Sequence, residues 1–255
     1  MHIEVRPSAS IAALTVNSIC QRSRDVRSLQ QDFESHPPAY FLRSQGKSQA
    51  RGIVSARVHL AQDYHLKGML RDAGLELRFA AYCLEISVIR PFRDGHFDLF
   101  KQDQLRTLAE AVRLRFSAVR EFRQAALHRK EDWRTNYELA LELSFLAKTL
   151  SFSRGHLPGL NGPKALGLII NTRLEAAGIF HKLDNHNDAF YEYRHLAGLC
   201  CSVDDERAAR YARRALEELP ACSQIIPASY IASLSAMLKY LKPLRTPPPA
   251  PSRPR

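Results

Sequence analysis

The sequence predicts an all-α protein made of antiparallel helical hairpins stacked side by side, as an array or α-solenoid. Three observations predict it. Glycine is scarce, at 11 of 255 residues, and the prolines leave long stretches uninterrupted, which suits helices better than a turn-rich β architecture. Apolar residues recur at steps of three and four along most of the chain, the 3.6-residue period of an amphipathic helix. These stretches are separated by tight turns. Successive helices must then fold back and cover apolar faces that a single hairpin leaves open.

The elements follow in order. Residues 1–50 are patchy: Ile11 to Ile19 suits a short helix or strand, His36-Pro37-Pro38 interrupts the chain, and Ser44-Gln45-Gly46-Lys47-Ser48 reads as a loop. This region is expected to be a loosely structured N-terminal segment. A helical domain is expected over residues 51–242. Its first helix carries Ile53, Ala56, Leu60, Tyr64 and Leu66, with Gly74 marking a break. The next runs from about Leu75 to Ile89 and ends at Arg90-Pro91, because the residue before proline is pushed out of the α region. The clearest helix spans Gln102 to His128, on Leu105, Leu108, Val112, Phe116, Val119, Phe122 and Ala126. Another runs from Asp132, a good N-cap, to about Phe152, and Gly155 with Pro158-Gly159 closes it. Pro163 suits a first helical residue, opening a helix to about Leu183. Asp184-Asn185-His186-Asn187 makes a turn before a helix from Asp188 to Cys200. Ser202 and Asp205 stand at capping-box spacing for a helix from about Asp204 to Leu219, which Pro220 stops. A last helix covers about Ser229 to Leu241. Residues 243–255, with Pro247-Pro248-Pro249, read as an extended, disordered tail.

The formal charge is +11, from 37 Lys and Arg against 26 Asp and Glu. That excess suits an anionic partner, whether acidic protein, nucleic acid or membrane surface. Five cysteines, Cys20, Cys83, Cys200, Cys201 and Cys222, make an odd number with no CxxC spacing. A reducing, cytoplasmic compartment accounts for them most simply. No apolar run approaches the ~20 residues of a transmembrane helix. The first 30 residues hold Arg6, Arg22, Arg24 and Arg27, a faint likeness to an organelle transit peptide that Glu4 and Asp25 oppose.

The segment LAGLCCSVDDERAARYARRALEELP, Leu196 to Pro220, resembles a tetratricopeptide repeat. Ala208, Ala212, Ala215 and Pro220 follow the second-helix spacing of that family. In the preceding hairpin Ala177, Phe180, Ala189 and Tyr193 fall at its small and aromatic positions. Small residues let two helices approach, and aromatics fill the space beyond them. Ala189 and Ala208 are 19 residues apart, where a regular repeat needs ~34. The likeness is therefore to a divergent tetratricopeptide-like region, over residues 163–242. The resemblance implies a scaffold that binds partners in a concave groove.

Catalytic motifs fail on their residues. Arg90-Pro91-Phe92-Arg93-Asp94-Gly95-His96 resembles the HPFxxGNGR loop of Fic-type AMP-transferases. Arg90 replaces the general-base histidine, though, and the second glycine and the closing arginine are missing. Arginine cannot accept a proton near neutral pH. Gly46-Lys47-Ser48 lacks the leading glycine of a phosphate-binding loop, and no GxSxG is present. His181, His186 and His195 lie near a turn with Asp184 and Asp188, and His59 and His65 are six apart. They read as solvated turn and helix-surface residues, so no metal centre and no cofactor is expected.

Two arginine rows remain: Arg106, Arg113 and Arg120 on one helix, and Arg207, Arg210, Arg213 and Arg214 on another. The expected function is a non-enzymatic protein–protein interaction module, an adaptor, chaperone or regulator. It would bind a peptide or an acidic protein partner through these basic faces. The alternative is a basic helical nucleic-acid-binding protein.

Overall fold

Nine α-helices and no strand make up the described residues of the computed structural model, which are 16–95, 100–129 and 132–241. The all-α expectation holds. Among these residues no helix is long and apolar enough to cross a membrane. The chain divides into two compact units, Met1–Ile169 and Ile170–Arg255. The expected tail, 243–255, and the first 15 residues lie outside the described residues.

The first unit holds α1 (Val16–Ser35), a 3-10 turn (Pro38–Leu42), α2 (Ser44–Leu66), α3 (Leu70–Arg93), α4 (Gln102–His128) and α5 (Trp133–Ser153). Each helix packs on the one before it. The α2–α3 turn is tight because Gly68 takes φ +71° and its amide donates to the His65 carbonyl at 2.9 Å.

Over residues 16–50 the expectation of a loose segment is corrected. Ile19, Ser23, Val26, Gln30 and Phe33 form one buried stripe along α1, at steps of four and three. Two of the five are polar, which hides the stripe from a hydrophobicity pattern. Their partners explain their burial. Ser23 donates to Glu76 at 2.5 Å, and Gln30 accepts two bonds from Arg57, itself paired with Glu76 at 2.5 Å. Nor is the Gly46-Lys47-Ser48 stretch a loop, since it lies in the first turns of α2. A Cβ on Gly46 would stand 2.3 Å from the Tyr40 carbonyl oxygen, so only glycine lets this helix start against the 3-10 turn.

Two further breaks are absent. Gly74 lies inside α3, where a Cβ would meet three Phe122 ring atoms at 3.0 Å, so it marks close helix approach. Pro91 also lies inside α3, which continues to Arg93. Pro91 is buried, and Phe92 stacks on Phe100 at 4.7 Å, which holds the extra turn against the missing amide. On α4 the expected bounds are found. Phe116 is 40% exposed, however, while its neighbour Arg115 is 2% exposed.

Helix α6 (Pro163–Lys182) leads into the second unit, which holds α7 (His186–Cys200), α8 (Asp205–Glu218), a 3-10 turn (Leu219–Ala221) and α9 (Ala228–Tyr240). Helix α7 packs against α8, where Ala208, Ala212 and Ala215 are fully buried. Asn185 caps α7 by accepting from the Asp188 amide. Asp204 caps α8 by accepting from the Arg207 amide. The expected Ser202–Asp205 pairing is thereby corrected: the Asp204 carboxylate, two residues nearer the helix than Ser202, reaches its free amides.

Candidate functional site: an apolar groove over an arginine–glutamate floor

Helix α3 is apolar on two sides. Ala73, Leu77, Ala80, Leu84 and Val88 face the core, while Phe79, Tyr82, Ile86 and Ile89 line a cavity of about 510 Å³. The second set steps by three, four and three, so it forms one stripe down the helix. Phe145, Thr149 and Phe152 of α5 line the same cavity, and Arg115 of α4 lies at its base. An aromatic cluster sits beside it, with Phe152 edge-on to Phe92 at 5.8 Å and Phe100 4.5 Å from His156.

The floor is a buried ion network across three helices. Arg115 donates to both oxygens of Glu85, at 2.9 and 2.7 Å, and to Glu142 at 3.1 Å. Arg78 donates to Glu142 at 2.7 Å and to the carboxylate of Glu138. Thr149 donates to Glu85 at 2.6 Å. The guanidiniums also lie over rings, Arg78 over Phe122 and Arg115 over Phe145. Burial pulls the Arg115 guanidinium down, and the carboxylates of Glu142 and Glu85 more than reverse that. Burial pushes the Glu142 carboxyl up, against the opposing pull of Arg115 and Arg78. The rim carries cations. Arg90, Arg93 and Lys148 are exposed at the cavity, with Asp94 as the one rim acid among its lining residues. Arg93 and Lys148 form no ion pair among the described residues.

The two arginine rows lie elsewhere. All seven residues are exposed, and they sit in different units. On α8, Arg207, Arg210 and Arg214 pair with Asp204, Glu206 and Glu217, at 3.2, 3.2 and 3.7 Å. That face is mixed in sign. On α4, Arg120 lies 3.5 Å from Glu121, while Arg106 and Arg113 form no ion pair among the described residues.

The Fic-like segment lies on the last turn of α3, with Arg90 donating to the Glu34 carbonyl, and His96 falls outside the described residues. Burial pushes the Cys83 thiol up to about 12, so it is protonated at neutral pH.

The histidines need a correction. His181 and His186 are brought together, and Glu218 joins them. One ligand atom from each lies within 4.8 Å of the others. His181 Nδ1 is 3.0 Å and His186 Nδ1 2.6 Å from the two carboxylate oxygens. His195, the third candidate, is not part of this group. Glu218 is 32 residues from His186, so nothing in local spacing announces it.

No family model and no curated protein matches the sequence. Among solved structures the chain is similar to the crystal structure of BtubC (BKLC) from P. vanneervenii. The identity is 19% over 89% of this chain and 84% of that chain, with a TM-score of 0.36. A likeness that distant lends no weight to any fold family.

Proposed function

We propose that this chain is a non-enzymatic protein-interaction module, an adaptor, chaperone or regulator with divergent tetratricopeptide-like hairpins over residues 163–242. Its partner is a protein segment with aromatic or aliphatic side chains flanked by acids. The observation that carries the reading is the groove between α3 and α5. Its apolar walls suit inserted side chains, and Arg93 and Lys148 stand at the rim without an ion-pair partner among the described residues. Apolar burial supplies affinity, and the rim cations supply orientation and encounter rate. The arginine rows contribute to the general field of a +11 chain.

The test is an array of immobilised peptides that pair aromatic residues with flanking acids, probed with the full chain. Binding is expected to fall about tenfold or more for Ile86→Arg, on the cost of losing a central apolar anchor. A double charge reversal of Arg93 and Lys148 to Glu should weaken it as well. Arg113→Ala should leave it unchanged. Peptide binding indifferent to the groove variants would remove the reading. The second reading, nucleic-acid binding, rests on the net charge and on Arg106, Arg113 and Arg213, exposed and without an ion pair among the described residues. It requires gel-shift binding at low salt that fails steeply as salt rises.

A further inference from the structure

Five glutamates of the described residues are buried, and four of them ion-pair with arginine. Glu76 meets Arg57, Glu142 meets Arg78 and Arg115, Glu192 meets Arg173, and Glu121 meets Arg120 beside His65. Glu218 differs. Its side chain is 6% exposed, and its ionic partners among the described residues are His181 and His186. Among the described residues no arginine or lysine pairs with this carboxylate, and two imidazole nitrogens converge on it instead. Burying an unpaired carboxylate is costly. We propose that the missing charge is a divalent transition-metal ion, zinc by its donor set, held by one ring nitrogen each of His181 and His186 and by the Glu218 carboxylate.

Three elements build the site. His181 lies in the last turn of α6, His186 is the first residue of α7, and Glu218 is the last residue of α8. The turn between the histidines is tight because Asp184 takes φ +54°. That turn swings the two rings to 5.9 Å, edge to face. Zinc holds imidazole nitrogen and carboxylate oxygen at about 2.0–2.2 Å, which puts tetrahedral ligand atoms about 3.3 Å apart. The nitrogen-to-oxygen separations of 3.0 and 2.6 Å are within an ångström of that value. Two imidazoles and one carboxylate suit zinc and its first-row neighbours, and calcium and magnesium take oxygen ligands instead. The other ring nitrogen of His186 lies 4.0 Å from the exposed Asp184 carboxylate, beyond hydrogen-bond distance, so it stays open to solvent. His181 is 54% exposed, so solvent reaches the ion and water completes its coordination.

Zinc ion alone is the probe, added to full-length, tag-free protein after removal of metal by chelator. Isothermal titration should show one zinc per chain and a rise in Tm of several degrees, because binding to the folded state alone stabilises it. Cobalt in its place should give the visible absorption of a low-symmetry nitrogen–oxygen site. His181→Ala alters a half-exposed side chain, so circular dichroism should match the parent while zinc affinity drops at least tenfold. His186→Ala should act likewise, and His195→Ala should bind as the parent does. No saturable binding by the parent protein, or stoichiometric binding that survives both His181→Ala and His186→Ala, overturns the proposal. Neither result touches the groove, whose variants are read with peptides.

Discussion

A single missing Cβ can decide whether a helix starts. At Gly46 that atom would stand 2.3 Å from a backbone oxygen, and at Gly52, six residues along α2, it would meet nothing within 4 Å. The same substitution should therefore have opposite signs on one helix. Gly46→Ala must displace backbone, with overpacking costs of about 1–3 kcal/mol set against about 1 kcal/mol of helix propensity. Urea melts should show a net loss. Gly52→Ala should be neutral or stabilising by up to about 1 kcal/mol. A loss of equal size at both sites would mean that helix propensity, and not contact, governs α2. The polar members of the α1 stripe make a related point. Ser23 and Gln30 are buried because Glu76 and Arg57 await them, and hydrophobic periodicity does not register such partners.

At the scale of elements, helices were legible where polarity alternates strongly and caps are local. Helix α4 has its expected ends, and Asp132 caps α5 as expected by accepting from the Arg134 amide. Breaks inferred from Gly74 and Pro91 failed because tertiary packing overrode local preference at both. Asp132 also sets a pH dependence. The Thr135 hydroxyl, with the backbone amides of Arg134 and Thr135, holds its carboxyl below the usual aspartate value. Lys47 does the same to Asp103 at the start of α4. A carboxyl lowered on folding gives its full stabilisation above the unfolded value, about 3.9, and loses it as pH falls through the lower folded value. Acid titration of the parent should steepen below about pH 4. Asp132→Asn, which keeps an acceptor, should flatten part of that slope. An unchanged slope would place the acid sensitivity elsewhere.

At the scale of the molecule, the groove could not be read from the sequence, because its walls are two helices far apart in the chain. The available signal was that α3 is apolar on more than one side, more than burial in a core requires. The arginine rows were visible and the rim cations were not, since regular spacing marks a helix face but not a cavity edge. The floor makes a global prediction. Glu142 is fully buried between two guanidiniums. Glu142→Ala should cost about 3–5 kcal/mol in denaturant melts, because both cations lose their shared carboxylate. A cost below 1 kcal/mol would show that water or Glu138 and Glu85 compensate.

That floor also limits what the groove can discriminate. Arg115 and Arg78 already direct their donors at Glu85, Glu138 and Glu142. A polar group entering the cavity finds few donors left to engage, and a charged one must break existing bonds. If the groove takes the proposed partner, such a surface would respond to bulk and charge spacing, not to the identity of each residue. Its partners would form a degenerate set, with many sequences sharing one outline and selectivity residing in rejection.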